Sequence, residues 1–143
     1  MVSGNREKKK LLFFIETFGC TFNQADSLII KNILEERNFE FSSIDEASLV
    51  IINTCAVKNS THTKILSLLQ RLTKKYPNKK FLITGCLPFI DRSTFSQINR
   101  IIGKRGIILH PHQIKNVYKI LKKESHFHIH SKSTMRDKSN LFP

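Results

Sequence analysis

Short apolar runs that end in a cysteine recur three times along this chain. The runs FFIETFGC, LVIINTC and KFLITGC end at Cys20, Cys55 and Cys86, which are the three cysteines of the sequence. Each run is rich in Ile, Val, Phe and Leu and is bounded by residues typical of turns, a pattern that predicts a strand buried on both faces. The sequence therefore predicts a cysteine at the carboxyl end of each of three buried strands.

Helical patterns alternate with the predicted strands, which lie at 11–17, 39–41, 49–53, 80–84 and 106–110. The first helix is expected to begin within 23–26, the third at Asp91 or Ser93 and the last at Pro111. Regular alternation of strand and helix is typical of an α/β fold, an open parallel sheet of about five strands with helices on both faces. We predict a flavodoxin-like or Rossmann-like arrangement with the strand order 2-1-3-4-5.

The changes in pattern along the chain predict three regions. Residues 1–10 are expected to be a basic N-terminal arm, 11–123 a single domain, and 124–143 a linker without helical periodicity. The sequence has no run of about 18 apolar residues, so we expect no membrane span. The charged N-terminus lacks the apolar segment of a signal peptide, which predicts a cytoplasmic protein.

The net charge of the chain indicates what kind of partner it binds. Twenty-four Lys and Arg against eleven Asp and Glu give a formal net charge of +13. Such an excess favours a polyanionic partner, above all nucleic acid, because Lys and Arg contact phosphates and release bound counterions. Solubility, or high lysine usage across a whole proteome, is the plainer explanation of the same excess.

The spacing of the cysteines indicates a site. The intervals of 35 and 31 positions are close to the length of a βαβ unit, and parallel strands bring their carboxyl ends to one edge of the sheet. Three thiolates there suit an iron–sulfur cluster with one iron open, or a zinc ion completed by another ligand. Buried cysteines without a function, and a cysteine nucleophile aided by His62, remain open alternatives.

Two other features carry less weight. His126, His128 and His130 alternate in a way compatible with metal binding, but we expect them to lie in an exposed tail. The turn TFGCTFNQ after the first strand lacks the GxGxxG pattern of dinucleotide-binding domains. The cysteines are therefore the strongest candidate for chemistry in this chain.

Three segments resemble the N-terminal domain of the radical S-adenosylmethionine methylthiotransferases, which place a methylthio group on tRNA or on a ribosomal protein. They are IETFGCTFNQADS at 15–27, VIINTCAVKNST at 50–61 and FLITGCLP at 81–88. The resemblance covers residues 11–123 and implies that Cys20, Cys55 and Cys86 ligate an auxiliary [4Fe–4S] cluster. Asn23 matches the Asn that follows the first cysteine in the family pattern, which implies a supporting role beside the ligands.

The resemblance also implies what this chain lacks. It has no CxxxCxxC pattern for the second [4Fe–4S] cluster that cleaves S-adenosylmethionine, and no C-terminal RNA-binding domain. We therefore expect an N-terminal piece without a catalytic residue of its own, inactive alone, whose partners are the missing domains and the anticodon arm of tRNA. Lys and Arg near the cysteines are expected to steer that arm.

The segment TFGCTFNQADS, with Thr after the cysteine, is closer to the archaeal and eukaryotic branch of the family than to the bacterial one. That branch acts on N6-threonylcarbamoyladenosine at position 37 of tRNA, where the complete enzyme adds the methylthio group to C2. The alternative is a non-catalytic basic RNA-binding α/β module whose cysteines are buried or hold zinc.

Overall fold

The computed structural model describes residues 10–55 and 59–124. Most of the predicted arm, most of the predicted linker and the three histidines at 126, 128 and 130 lie outside those residues. The strands are β1 Leu11–Thr17, β2 Phe39–Phe41, β3 Leu49–Thr54, β4 Lys80–Gly85 and β5 Gly106–Ile108. The α-helices are α1 Thr21–Glu35, α2 Asn59–Lys75, α3 Arg92–Ile102 and α4 Val117–Lys123.

All five strands form one parallel sheet in the order β2-β1-β3-β4-β5, which confirms the predicted fold and strand order. Strand β3 lies at the centre, and all six of its residues are buried. Its register aligns Leu49 with Phe13 of β1 and with Lys80 of β4. The carboxyl ends of β1, β3 and β4 therefore lie side by side.

Two apolar cores cover the two faces of the sheet, because alternate strand residues point to opposite sides. On one face, Ile30 and Leu34 of α1 and Leu121 of α4 pack against Phe13 and Ile51. The other face is covered by helices α2 and α3, and its buried side chains are Val50, Ile52, Ile65, Leu69, Phe81, Ile83, Leu87, Ile98 and Ile102. Within the described ranges, no helix is long and apolar enough to cross a membrane.

The element boundaries differ from the predicted ones where the chain turns. The first helix begins at Thr21 with Cys20 as its N-cap, ahead of the predicted 23–26. Asp91 is the N-cap of α3, which confirms the first of the two starts, Asp91 or Ser93, predicted for this helix. The last predicted helix divides into a 3-10 helix, Pro111–Asn116, followed by α4. The prediction of one continuous helix from Pro111 was therefore wrong, although its apolar positions still face the core.

Candidate metal centre

The three cysteines follow three neighbouring strands. Cys20 lies in the turn after β1 and caps α1, Cys55 follows β3 directly, and Cys86 follows β4 directly. Cys20 and Cys86 are exposed, whereas Cys55 is buried, with 8% of its surface exposed. None of the three forms a disulfide. The structure thus brings the three predicted residues to one edge of the sheet, which we call the cysteine edge.

Direct contacts join the segments that carry the cysteines. The backbone N–H of Cys86 donates a hydrogen bond of 3.2 Å to the carbonyl of Thr54, the residue before Cys55. A methyl group placed on Gly19, the residue before Cys20, would lie 2.6 Å from Cβ of Cys55. The turn before Cys20 and the turn before Cys86 therefore both contact the end of β3.

Glycine is required at both of these contacts. Gly19 has φ of 121° and Gly85 has φ of 94°, a backbone conformation that side chains with a Cβ rarely adopt. A Cβ on Gly85 would lie 2.0 Å from the carbonyl oxygen of Thr54 and 2.8 Å from Oδ1 of Asn53. The glycines that precede Cys20 and Cys86 thus allow neighbouring strand ends to approach each other closely.

Asn23 connects Cys20 to the end of β3. Its side chain is 6% exposed, and its Nδ2 donates to Oδ1 of Asn53 at 2.9 Å and to the carbonyl of Thr54 at 2.8 Å. Its Oδ1 accepts from the backbone N–H of Cys20 at 3.4 Å and lies 3.5 Å from the Cys20 Sγ. Because two acceptors fix the Nδ2 end, the Oδ1 end faces Cys20.

Asn53 is a supporting residue that the sequence analysis missed. It is fully buried, and its Nδ2 donates to the backbone carbonyl of Asn23 at 2.8 Å and to Oγ of Ser27 at 2.9 Å. The hydroxyls of Ser27 and Thr17 lie 2.7 Å apart. The available signal was the polar pair Asn–Thr at the end of the apolar run LVIINT, since buried polar residues are normally hydrogen-bonded.

Two threonines extend this polar layer across the sheet. The hydroxyl of Thr54 donates to the carbonyl of Thr84 at 2.7 Å and accepts from the backbone N–H of Leu87 at 3.3 Å. The hydroxyl of Thr84 donates to the carbonyl of Leu109 at 2.7 Å. The carboxyl ends of β1, β3, β4 and β5 are therefore linked by side-chain hydrogen bonds, most of them buried.

The described part of the chain contains no group of three or more His, Cys, Asp or Glu side chains placed to hold a metal ion. Three soft thiol donors at adjacent strand ends nevertheless have the chemistry of an iron–sulfur or zinc site. The Nε2 of His62 lies 3.5 Å from Oγ1 of Thr94 near the start of α3. The donors therefore lie at one edge without forming an assembled ligand set.

Aromatic and ionisable residues lie on the turns and helices that follow the cysteines. Phe22, next to Cys20 in sequence, is 81% exposed, and beyond Cys86 the ring of Phe89 lies 4.6 Å from that of His110. Asp91 accepts a hydrogen bond of 2.7 Å from the backbone N–H of Thr94. That backbone bond lowers the pKa of Asp91 from its ordinary 3.8, whereas burial raises the pKa of Asp26 on α1.

Sequence comparisons identify the family. Residues 12–103 match the model described as "Uncharacterized protein family UPF0004". Two archaeal relatives are each named "Probable threonylcarbamoyladenosine tRNA methylthiotransferase". One, from Methanothermobacter thermautotrophicus, is 40% identical over 71% of this chain and 23% of its own length. The other, from Archaeoglobus fulgidus, is 44% identical over 57% of this chain and 19% of its own length.

A bacterial relative shows the same partial coverage. A protein of Lawsonia intracellularis named "tRNA-2-methylthio-N(6)-dimethylallyladenosine synthase" is 33% identical over 74% of this chain and 25% of its own length. The match thus spans about a quarter of the length of these relatives or less. The resemblance that the cysteine segments predicted is confirmed, and the chain belongs to protein family UPF0004, the N-terminal domain of the methylthiotransferases.

Proposed function

We propose that this chain is the domain of a tRNA methylthiotransferase that holds an auxiliary [4Fe–4S] cluster through Cys20, Cys55 and Cys86. The observation that supports this most is the contact between the segments that carry these cysteines. Cys86 N–H bonds to Thr54, and Gly19 lies against Cys55. Three thiols at one edge, in a chain with three cysteines, match the number of protein ligands that leaves one iron of such a cluster open.

The surrounding residues suit that role. Cys20 and Cys86 are exposed, so their side chains can turn toward a common centre without breaking the apolar cores. The buried hydrogen bonds of Asn23, Asn53 and Thr54 hold the three backbone segments in register. When bound, a cluster with three thiolate ligands offers an open iron to a sulfur ligand from outside the protein. This chain's own part is to position the three sulfur atoms.

For the complete enzyme we propose addition of a methylthio group to C2 of N6-threonylcarbamoyladenosine at position 37 of tRNA. The names of the two archaeal relatives, which are 40% and 44% identical to this chain, support this substrate. The reaction would also need a second [4Fe–4S] cluster and S-adenosylmethionine, held by domains outside this chain. We therefore expect this chain alone to be inactive toward tRNA.

Anaerobic reconstitution with iron and sulfide tests the cluster. The wild-type chain is expected to bind about four irons and four sulfides with a broad visible absorption band. Each of the variants Cys20→Ala, Cys55→Ala and Cys86→Ala should lose most of that iron, because each removes one of three ligands. Ser67→Ala, an exposed change on α2, is the matched control and should bind iron like the wild type.

Far-UV circular dichroism of every variant separates loss of the site from loss of the fold. A folded wild-type chain that takes up no iron under these conditions would contradict the proposal. A second candidate, a basic RNA-binding module that holds zinc or no metal, is supported by the net charge of +13. Stoichiometric zinc without a visible band, or single cysteine variants that change nothing, would identify that candidate.

A further inference from the structure

Charge is distributed unevenly along the chain. Residues 10–46 contain seven Asp and Glu and three Lys and Arg, whereas residues 47–123 contain fifteen Lys and Arg and a single acidic residue, Asp91. The second segment forms β3 to β5 and α2 to α4. One part of the domain therefore carries nearly all of the positive charge, an asymmetry that favours a polyanionic partner at that part.

Many of these cations lie at the edge of the sheet opposite the cysteines. Helices α2 and α3 each follow a strand and run back along the sheet, so their last turns lie beside the amino ends of the strands. Five exposed cations belong to these helix ends, and we call them the amino-edge basic surface. They are Arg71, Lys74, Lys75, Arg100 and Lys104. This edge lies opposite the one where Lys and Arg are expected to steer the tRNA arm.

Arg105 shows that the two helix ends are neighbours. Its guanidinium donates to the carbonyl of Thr73 at 2.9 Å, to that of Tyr76 at 2.7 Å and to that of Lys79 at 3.2 Å. It therefore joins the turn after α3 to the end of α2. The carbonyl of Thr73 belongs to the last turn of α2, so Arg105 satisfies one of the carbonyls that this helix end leaves without an intrahelical partner.

Among the described residues, no ion pair joins a carboxylate to the amino-edge basic surface. An ion pair between Lys10 and Glu40, at 3.9 Å between Nζ and Oε1, lies beside β1 and β2. Asp45 lies at the same edge but accepts from the hydroxyl of Tyr76, and Lys79 donates to the carbonyls of Asp45 and Ala47. Lys75 Nζ lies 5.3 Å from the centre of the Tyr76 ring, whereas Arg71, Lys74, Arg100 and Lys104 are exposed to an external anion.

The surface of α2 also offers uncharged donors. A shallow depression of about 580 Å³ is lined by Ser67, Gln70, Arg71, Thr73 and Lys74. Hydroxyl and amide side chains next to Arg and Lys are typical of surfaces that contact phosphate and ribose without reading the bases. The combination is less suited to an apolar partner, because no large apolar side chain lines the depression.

We propose that the amino-edge basic surface binds the sugar–phosphate backbone of RNA, on the side of the domain opposite the cysteines. This inference rests on the proposed function for the identity of the RNA, and it adds a second, separate contact surface. Each cation that contacts a phosphate should add roughly 0.7 to 0.9 to the slope of log K against log salt.

Fluorescence anisotropy with a labelled tRNA transcript between 50 and 300 mM salt tests the proposal on the full chain, without iron. The variant Arg71→Gln/Lys74→Gln/Lys75→Gln is expected to bind more weakly and to reduce the salt slope by about 2 to 3. The control Lys64→Gln/Arg92→Gln/Lys115→Gln removes the same charge from exposed positions nearer the cysteine edge. That control should keep most of the wild-type slope.

Three results would overturn the proposal. They are equal losses in the two triple variants, a larger loss in the control, and no RNA binding by the wild-type chain. Binding to vesicles of phosphatidylserine and phosphatidylcholine, with no binding to RNA, would assign the surface to anionic lipid instead. Because iron uptake is measured separately, Cys86→Ala should lose iron while keeping the RNA salt slope, so failure of the cluster and failure of this surface are distinguishable.

Discussion

Removal of the Asn53 side chain should weaken the domain more than removal of an ordinary buried polar group. Asn53 makes three buried hydrogen bonds, two from its Nδ2 to Asn23 and Ser27 and one to its Oδ1 from Asn23, all between 2.8 and 2.9 Å. Asn53→Ala removes all three. It also leaves a small cavity at a fully buried position.

The expected loss in the free energy of unfolding depends on which hydrogen bonds the partners of Asn53 keep. Nδ2 of Asn23 still donates to the carbonyl of Thr54, and Oγ of Ser27 still meets Oγ1 of Thr17, so neither group is left without a partner. Three bonds at about 1 kcal/mol each give a loss of about 3 kcal/mol in the free energy of unfolding. For a domain of this size such a loss lowers the melting temperature by roughly 10 °C.

Urea unfolding followed by circular dichroism measures this loss, and Thr73→Ala is the matched control. Thr73 is also buried, but its hydroxyl donates within its own helix to the carbonyls of Leu69 and Gln70. Its removal should change the free energy of unfolding by less than about 1 kcal/mol. A loss below 1 kcal/mol in Asn53→Ala, equal to that in the control, would refute the reasoning that the network holds the strand ends together.

Two further predictions concern the glycines and the pH dependence of stability. Gly85→Ala should lower the melting temperature more than Gly103→Ala. Both glycines have positive φ, but only a Cβ on Gly85 would meet backbone atoms. Equal losses of melting temperature in the two variants would contradict this. For Asp91, the folded pKa lies below the ordinary 3.8, so its carboxylate stabilises the folded state above that pH and loses this effect as the pH falls through the folded pKa. The difference in unfolding free energy between the wild type and Asp91→Asn should therefore shrink in acid, and a difference that grows below pH 3.8 would show that the sign is wrong.

The sequence predicted the sheet well because the apolar runs are continuous and are bounded by residues typical of turns. The unbroken apolar run 49–52 of β3 is buried, as its pattern indicates, and β1 and β2 have the predicted bounds. The helix starts were harder, since Cys20 is an unusual N-cap and the sequence offered several better capping residues after it. Tertiary contacts of Gly19 and Asn23 with the end of β3 fix that turn, and local pattern does not reveal them.

The sequence predicted where the cysteines lie, but it did not predict the hydrogen-bonded residues that surround them. Three cysteines at strand ends follow from the period of the chain, and parallel topology brings them to one edge. Asn53 bonds to the side chain of Ser27, and Thr54 bonds to the backbone of Thr84 and Leu87, at sequence separations of 26 to 33 residues. Such contacts need the register of the strands, which a single sequence does not supply.

The polarity of the fold explains why the thiols and the amino-edge basic surface are separated. Every strand runs in one direction and the helices between them run back, so strand ends meet at one edge and helix ends at the other. Cations are favoured at helix ends because the carbonyl dipoles point there, and thiols at strand ends face the turns that lead into helices. Six-residue strands at about 3.3 Å per residue place the two edges roughly 20 Å apart. A change at one edge should therefore leave the chemistry of the other edge intact, which makes the iron and RNA experiments independent of each other.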